Sequence, residues 1–168
     1  DVLRSALVSF DDTPMPAKVP GHGGGTQRGR LWLYVGDLSR VAYCEFTPDW
    51  KGCHPSAVLA GYRGHLQSDG YGGIAGLFTG QDPPNKVGCN DHARRKFVEA
   101  LKIGDARASR AVTLYGELYA VERDAKLLGP DERLRMRQAR SGPLWIQLCD
   151  EVARLELAHC AAHISRAL

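Results

Sequence analysis

The chain changes character at Asn90. Before it, apolar residues gather in short runs rich in β-branched and aromatic side chains, broken by glycine and proline. After it they recur at spacings of three and four residues. The first pattern suits strands and the second suits helices. The chain is therefore constrained to an α/β fold, with strands over residues 1–89 and helices over 90–168.

The strand half reads in order. Ala6-Leu7-Val8-Ser9-Phe10 is an apolar run that Asp11 closes, and Thr13-Pro14-Met15-Pro16 then excludes a helix. A glycine-rich loop is expected from Gly21 to Gly29. Leu31-Trp32-Leu33-Tyr34-Val35 reads as a buried strand, with Trp32, Tyr34 and Phe46 as core candidates. Val41 to Phe46 is its expected hairpin partner through a turn at Asp37-Leu38-Ser39-Arg40, and Pro48 ends it. A short helix is expected from His54 to Tyr62, a strand at His65-Leu66-Gln67-Ser68 that Asp69 closes, and a brief apolar run at Val87-Gly88-Cys89.

The helical half opens at Asn90 or Asp91, either of which can cap a helix reaching Ile103 with Ala93, Phe97, Ala100 and Leu101 as its stripe. A second helix carries Ala111, Leu114, Tyr115, Leu118, Val121 and Glu122 and is expected to close at Gly129. Pro130 opens a charged helix with Arg133, Arg135, Arg137 and Arg140, read as a solvated face, and Gly142-Pro143 is expected to break it. The last helix offers Trp145, Leu148, Val152, Leu155 and Leu157 to a core. No internal repeat is visible.

Composition sets outer bounds. The chain has 168 residues, of which 43% are hydrophobic and 24% charged, which suits a globular protein with a real core. The net charge of +3 permits a polyanionic partner without requiring one. Five cysteines at irregular spacings, with no Cys-x-x-Cys, argue against a disulfide framework and for a reducing, cytoplasmic setting. No apolar stretch approaches the roughly 20 residues that span a bilayer, so no membrane partner is expected. The start at Asp1-Val2-Leu3-Arg4 has no signal-peptide character, and the chain reads as a fragment of something longer.

Three strands, a short helix, a strand, a short strand and then helices is the element order of a ribonuclease H-like fold, whose first and fourth strands lie side by side. That order would bring Asp11 and Asp69 together. Carboxylates held on rigid strand ends and open to solvent can grip a divalent cation.

Four words give the chain a resemblance. They are Asp11-Asp12-Thr13-Pro14, Gly29 through Asp37, Gly61 through Tyr71 with its Leu66-Gln67-Ser68-Asp69-Gly70-Tyr71 core, and Gly88 through Phe97 with His92-Ala93-Arg94-Arg95-Lys96-Phe97. In this order they resemble the catalytic region of transposases of the insertion sequence 66 family, and the likeness covers nearly the whole chain. One departure is visible: such transposases typically carry Asp-Glu-Thr-Pro where this chain has Asp11-Asp12-Thr13-Pro14.

The resemblance implies a DDE-type transposase. Its core would be a ribonuclease H-like mixed sheet over residues 1–89, followed by a helical insertion or extension over 90–168. It gives Asp11 and Asp69 the catalytic and metal-ligand roles, with Mg²⁺ or Mn²⁺ as cofactor. Transposon-end and target DNA would be the partners, and the full-length protein would act as a homo-oligomer. The third acidic ligand belongs to a word resembling Asn-Asn-x-x-Glu-Arg, which this chain does not contain. Glu122 is the one substitute in the sequence, although a surface carboxylate supporting its helix is the commoner occurrence. A catalytically inactive remnant with DNA-binding or subunit-interaction activity is the competing reading.

Other residues carry two readings each. On the residues alone, Asp11 ahead of Pro14 and Asp69 ahead of Gly70 read as turn aspartates, and the resemblance reverses that order. Asp12 reads as turn chemistry. His92, Arg94, Arg95 and Lys96 open a helix and suit DNA phosphates, or else a helix cap and a solvated face. Cys44, Cys53, His54, Cys89 and His92 form no zinc-ligand spacing.

Overall fold

In the computed structural model of the chain, residues 1–18, 25–37 and 42–167 are described, with side chains as far as residue 156. The loop glycines Gly21 to Gly24, the turn residues Leu38 to Arg40, Val41 and the side chain of Leu157 fall outside them. The chain divides into two compact units, Asp1–Asn90 and Asp91–Leu168.

The first unit is a five-stranded mixed sheet. Its strands are β1 (Leu7–Lys18), β2 (Thr26–Gly36), β3 (Ala42–Thr47), β4 (His65–Ser68) and β5 (Asn85–Gly88), and α1 (Cys53–Val58) lies between β3 and β4 in sequence. The spatial order is β3-β2-β1-β4-β5. β1 runs antiparallel to β2, and β2 to β3, whereas β4 and β5 join β1 in parallel. The first and fourth strands are therefore neighbours, as the element order implies.

Alternation along the strands decides which face is buried. Val8 and Phe10 of β1, Trp32 and Tyr34 of β2 and Leu66 of β4 share one face and form the core with Val2, Leu59, Tyr62 and Ile74. Phe10 stands opposite Tyr34 in the register, and their rings stack at 5.9 Å. Burying each such side chain is worth about 1.5–3 kcal/mol. A one-residue slip would turn the whole set toward solvent, so the register is strongly specified. Phe46 is not core: it pairs with Leu31, on the face opposite Trp32, and is 40% exposed on an edge strand.

β1 is longer than the sequence suggests. It continues through Pro14 and Pro16 and pairs with β2 as far as Lys18↔Thr26, so Gly29 lies in a strand and not in the loop. β4 pairs with β1 only through Ser9, which leaves the outer half of β1 an edge among the described residues. An edge tolerates residues without an N–H. A 3₁₀ turn at Gly72–Phe78, which follows Asp69 and buries Ile74, has no clear sequence signal.

The second unit is helical, with α2 (Asn90–Lys102), α3 (Ser109–Ala125), α4 (Pro130–Met136) and α5 (Gly142–Ala167). Ala111, Leu114, Tyr115, Leu118 and Leu148 form its core, with Ala93, Phe97, Leu144, Trp145 and Val152 packed around them. Two boundaries differ from expectation. α3 ends at Ala125, ahead of Gly129, and Gly129 instead caps α4 in extended geometry. Gly142-Pro143 does not break the chain: a π-helical stretch at Arg137–Ser141 connects α4 to α5. The wider turn suits Pro143, which has no N–H to donate to the preceding turn. Among the described residues no helix is long and apolar enough to cross a membrane.

Candidate metal centre

Asp11 and Asp69 are placed by two neighbouring parallel strands. The register pairs Leu7 with His65, Val8 with Leu66 and Ser9 with Gln67. Ser9 and Gln67 are 58 residues apart, and Asp11 and Asp69 keep that same offset one strand period further on. Alternation puts Ser9, Asp11, Gln67 and Asp69 on the face opposite the core. The Ser9 hydroxyl donates to Gln67 Oε1 at 2.8 Å and ties the two strands together on that face.

Both aspartates are exposed, and each offers a carboxylate oxygen within 4.8 Å of the other's. Asp11 Oδ1 accepts the Asp12 N–H at 2.9 Å, and Asp69 Oδ1 accepts the Tyr71 N–H at 2.9 Å. The two ends are built differently. Asp69 follows the last residue of β4, whereas Asp11 lies inside β1 and not at its exit. The open end arises because β4 stops at Ser68 while β1 runs on.

The donor set suits a hard divalent cation. It consists of carboxylate oxygens on fixed backbone, and Mg²⁺ takes oxygen ligands at about 2.0–2.1 Å. Two such ligands on one ion lie at most about 4.2 Å apart, a separation within reach of the observed spacing after small side-chain adjustments.

Asp12 projects to the other face of β1 and is not a turn residue. Its carboxylate is nearly buried, receives Arg30 Nη1 at 2.8 Å and accepts the Trp50 Nε1–H at 2.8 Å. Sequence reading missed this pairing because Asp12 and Trp50 lie 38 residues apart.

In the second unit, His92, Arg94, Arg95 and Lys96 occupy the first turns of α2. Asp91, His92, Arg94, Arg95 and Val98 line a cavity of about 310 Å³. Arg94 lies over the Tyr119 ring at 5.7 Å, and the Tyr119 hydroxyl donates to Asp91. Burial, followed by the Asp91 carboxylate, pushes the Tyr119 hydroxyl up to about 12. Lys96 lies outside the cavity lining and pairs with Glu99 at 3.6 Å; Arg95 reaches the same carboxylate at 4.0 Å.

The family model described as Transposase IS66 family matches residues 1–161. The chain belongs to the IS66 transposase family. Two similar curated relatives of the family member are from Sinorhizobium fredii. Uncharacterized protein y4hP is 37% identical over 167 residues, covering 86% of this chain and 30% of that protein. Uncharacterized protein y4jD is 31% identical over 163 residues, covering 84% of this chain and 30% of that protein. The chain thus spans about 30% of the length of these relatives. Among solved structures, a simian T-cell lymphotropic virus intasome in complex with PP2A regulatory subunit B56 gamma aligns at 16% identity with a TM-score of 0.36. That alignment covers 83% of this chain and 46% of that one, too distant a likeness to carry an argument.

Other acids of this transposase-family chain are engaged elsewhere. Both oxygens of Glu122 are taken by Arg137, at 2.8 and 2.6 Å, and that guanidinium holds the carboxyl below its ordinary range. Asp124 pairs with Arg140 at 2.7 Å. Arg133 donates to the carbonyls of Ala125, Lys126 and Leu128. The arginine-rich stretch read as a solvated face is therefore partly a set of ion pairs and a helix cap.

Proposed function

We propose that this chain is catalytic-region material of a DDE-type transposase with a ribonuclease H-like core, in which Asp11 and Asp69 hold a divalent cation, Mg²⁺ or Mn²⁺. The observation that carries this reading is the shared strand register of the two aspartates, with their oxygens within 4.8 Å. The strand order β3-β2-β1-β4-β5, with β4 and β5 parallel to β1, supports the core assignment. Family membership supports transposition as the setting.

A divalent ion at such carboxylates stabilises charge on phosphoryl oxygens and activates an oxygen nucleophile in phosphoryl transfer. The chain's own part is to hold the two carboxylates rigid. The Asp12 and Tyr71 amides each orient one oxygen, and the Ser9–Gln67 bond fixes the strand pair beneath them. His92, Arg94, Arg95 and Lys96 are proposed to meet DNA phosphates, the first three from one cavity. The partners on this reading are transposon-end and target DNA, engaged by an oligomer of the full-length protein. The chain supplies two of three carboxylates, so on its own it is expected to show little strand transfer.

The test is Mn²⁺ and Mg²⁺ titration by calorimetry of the parent, Asp11→Ala and Asp69→Ala. Binding by the parent and its loss in both variants is the expected result. Unchanged binding in both variants overturns the assignment.

A further inference from the structure

The two aspartates are connected behind the site by a chain of contacts that meets at one residue, Trp50. It lies between β3 and α1, and the segment carrying it is anchored on both sides. Thr47 Oγ1 accepts the Trp32 Nε1–H at 3.0 Å and donates to the Asp49 carbonyl at 2.8 Å. The Asp49 carboxylate then takes the Lys51 N–H at 3.2 Å and His54 Nε2 at 2.7 Å. Trp50 thus sits on a braced segment, although the residue is 41% exposed.

Toward β1, the Trp50 Nε1–H donates to Asp12 Oδ1 at 2.8 Å, while Arg30 bonds the other Asp12 oxygen at 2.8 Å and lies 4.5 Å from the indole centroid. Asp12 is the neighbour of Asp11, and its own N–H holds Asp11 Oδ1. Toward β4, the indole stacks on Tyr71 at 4.0 Å with planes 11° apart. The Tyr71 hydroxyl donates to the Trp50 carbonyl at 2.6 Å, and the Tyr71 N–H holds Asp69 Oδ1 at 2.9 Å. Each backbone amide that orients a candidate ligand therefore belongs to a residue gripped by Trp50.

The backbones also meet. A Cβ on Gly52 would lie 1.7 Å from the Gly73 carbonyl oxygen, so the Trp50 segment rests directly on the 3₁₀ turn that follows Asp69. Past Ser9↔Gln67 no ladder pair joins β1 to β4, so strand pairing stops before the aspartates and a separate brace has work to do there.

We infer that Trp50 is a positioning residue that sets the spacing of Asp11 and Asp69 through Asp12 on one side and Tyr71 on the other. The inference rests on the metal reading of that pair. It assigns Trp50 no contact with the cation and none with DNA. Its hydrogen bond to a carboxylate and its aromatic stack are each worth a measurable part of the site's order. Restoring order on binding lowers the affinity of a loosened site.

The experiment is Mn²⁺ titration of the whole chain, with thermal unfolding measured alongside, for Trp50→Ala, Trp50→Phe and Tyr71→Phe. Asp11→Ala, Asp69→Ala and the core variant Leu59→Ala serve as controls. Trp50→Ala loses both the hydrogen bond to the Asp12 carboxylate and the stack on Tyr71, and is expected to weaken Mn²⁺ binding by about tenfold or more. Trp50→Phe keeps the stack and loses the indole N–H, so it should fall between parent and Trp50→Ala; Tyr71→Phe should weaken binding less than Trp50→Ala. Leu59→Ala destabilises the same unit away from the brace and should bind Mn²⁺ as the folded parent does. Parent-like affinity in Trp50→Ala, with binding lost in the aspartate variants, overturns the inference alone. So does an equal loss in Leu59→Ala. Parent-like affinity in both aspartate variants overturns the metal reading and this inference with it.

Discussion

Asp11 and Asp69 stand in one continuous parallel register, yet the strand pairing that sets it ends at Ser9 and Gln67. What aligns them is the buried face beneath, where Val8 and Leu66 are paired and fully buried. Leu66→Ala should cost about 2–5 kcal/mol of stability. Because the register depends on that face, it should also weaken Mn²⁺ binding in protein that remains folded. Denaturant unfolding checks the first effect and calorimetry the second.

Two glycines near Asp69 resist substitution for different reasons. Gly70 has φ +85° with nothing within 4 Å of an added Cβ, so Gly70→Ala meets only backbone strain, about 1–2 kcal/mol. Gly70→Asn should cost less, because asparagine tolerates that region. Gly52 has an ordinary φ of −64°, and its constraint is the Gly73 carbonyl. Gly52→Ala must push two backbones apart and should cost about 1–3 kcal/mol or more. Thermal unfolding of these three variants and of Gly52→Asn separates strain from collision: asparagine should cost less than alanine at position 70 and no less at position 52.

The parts of this molecule legible in sequence were those set by local pattern. The aromatic and β-branched run Leu31 to Val35 marked a buried strand with Trp32 and Tyr34 in the core, and the spacing of Ala111, Leu114, Tyr115 and Leu118 placed the α3 face. The adjacency of the first and fourth strands followed from element order. The misreadings came from features that depend on distant neighbours. Pro14 and Pro16 read as the end of a strand, because the edge that tolerates them exists only once β4 stops short. Asp12 read as a turn residue because Arg30 and Trp50, which hold it, are remote in sequence. Gly142-Pro143 read as a break because a π-helical turn has no simple composition signal.

Arg133 closes α3 from the next helix. Its guanidinium reaches the carbonyl of Ala125 at the helix end and those of Lys126 and Leu128 just beyond it, where acceptors run out of helical donors. Arg133→Ala should destabilise the helical unit by about 1–2 kcal/mol, and Arg133→Lys should recover only part of this, since one ammonium cannot span three carbonyls. Thermal unfolding followed by circular dichroism measures both.

Acidification should act on the segment that carries Trp50 only at low pH. The Asp49 carboxyl is drawn down to about 2, first by its hydrogen bond to the Lys51 ammonium and then by His54. A folded-state value below the unfolded one means the contribution is present above about pH 4 and is lost as pH falls toward 2. Carbon-detected NMR titration should find the Asp49 midpoint near 2 in the parent. The midpoint should rise toward the ordinary carboxylate range in Lys51→Ala, and by less in His54→Ala. A parent midpoint in the ordinary range contradicts the ion-pair geometry.

Glu122 offers the sharpest separation between an ion pair and a metal ligand. Its two oxygens meet Arg137 in a fork, and both side chains remain about half exposed, at 46% and 48%. Exposure lets water and salt screen the pair, so Glu122→Gln should cost less than about 1 kcal/mol, and less still at high salt. Arg137 lowers the Glu122 carboxyl, so this small contribution is present at neutral pH and fades on acidification below the ordinary glutamate range. Arg137→Ala should abolish that pH dependence. Since both oxygens are committed to the guanidinium, Glu122→Gln should leave Mn²⁺ binding by the parent chain unchanged in calorimetry. A tenfold or greater loss would instead mean that the carboxylate leaves Arg137 to serve as a metal ligand.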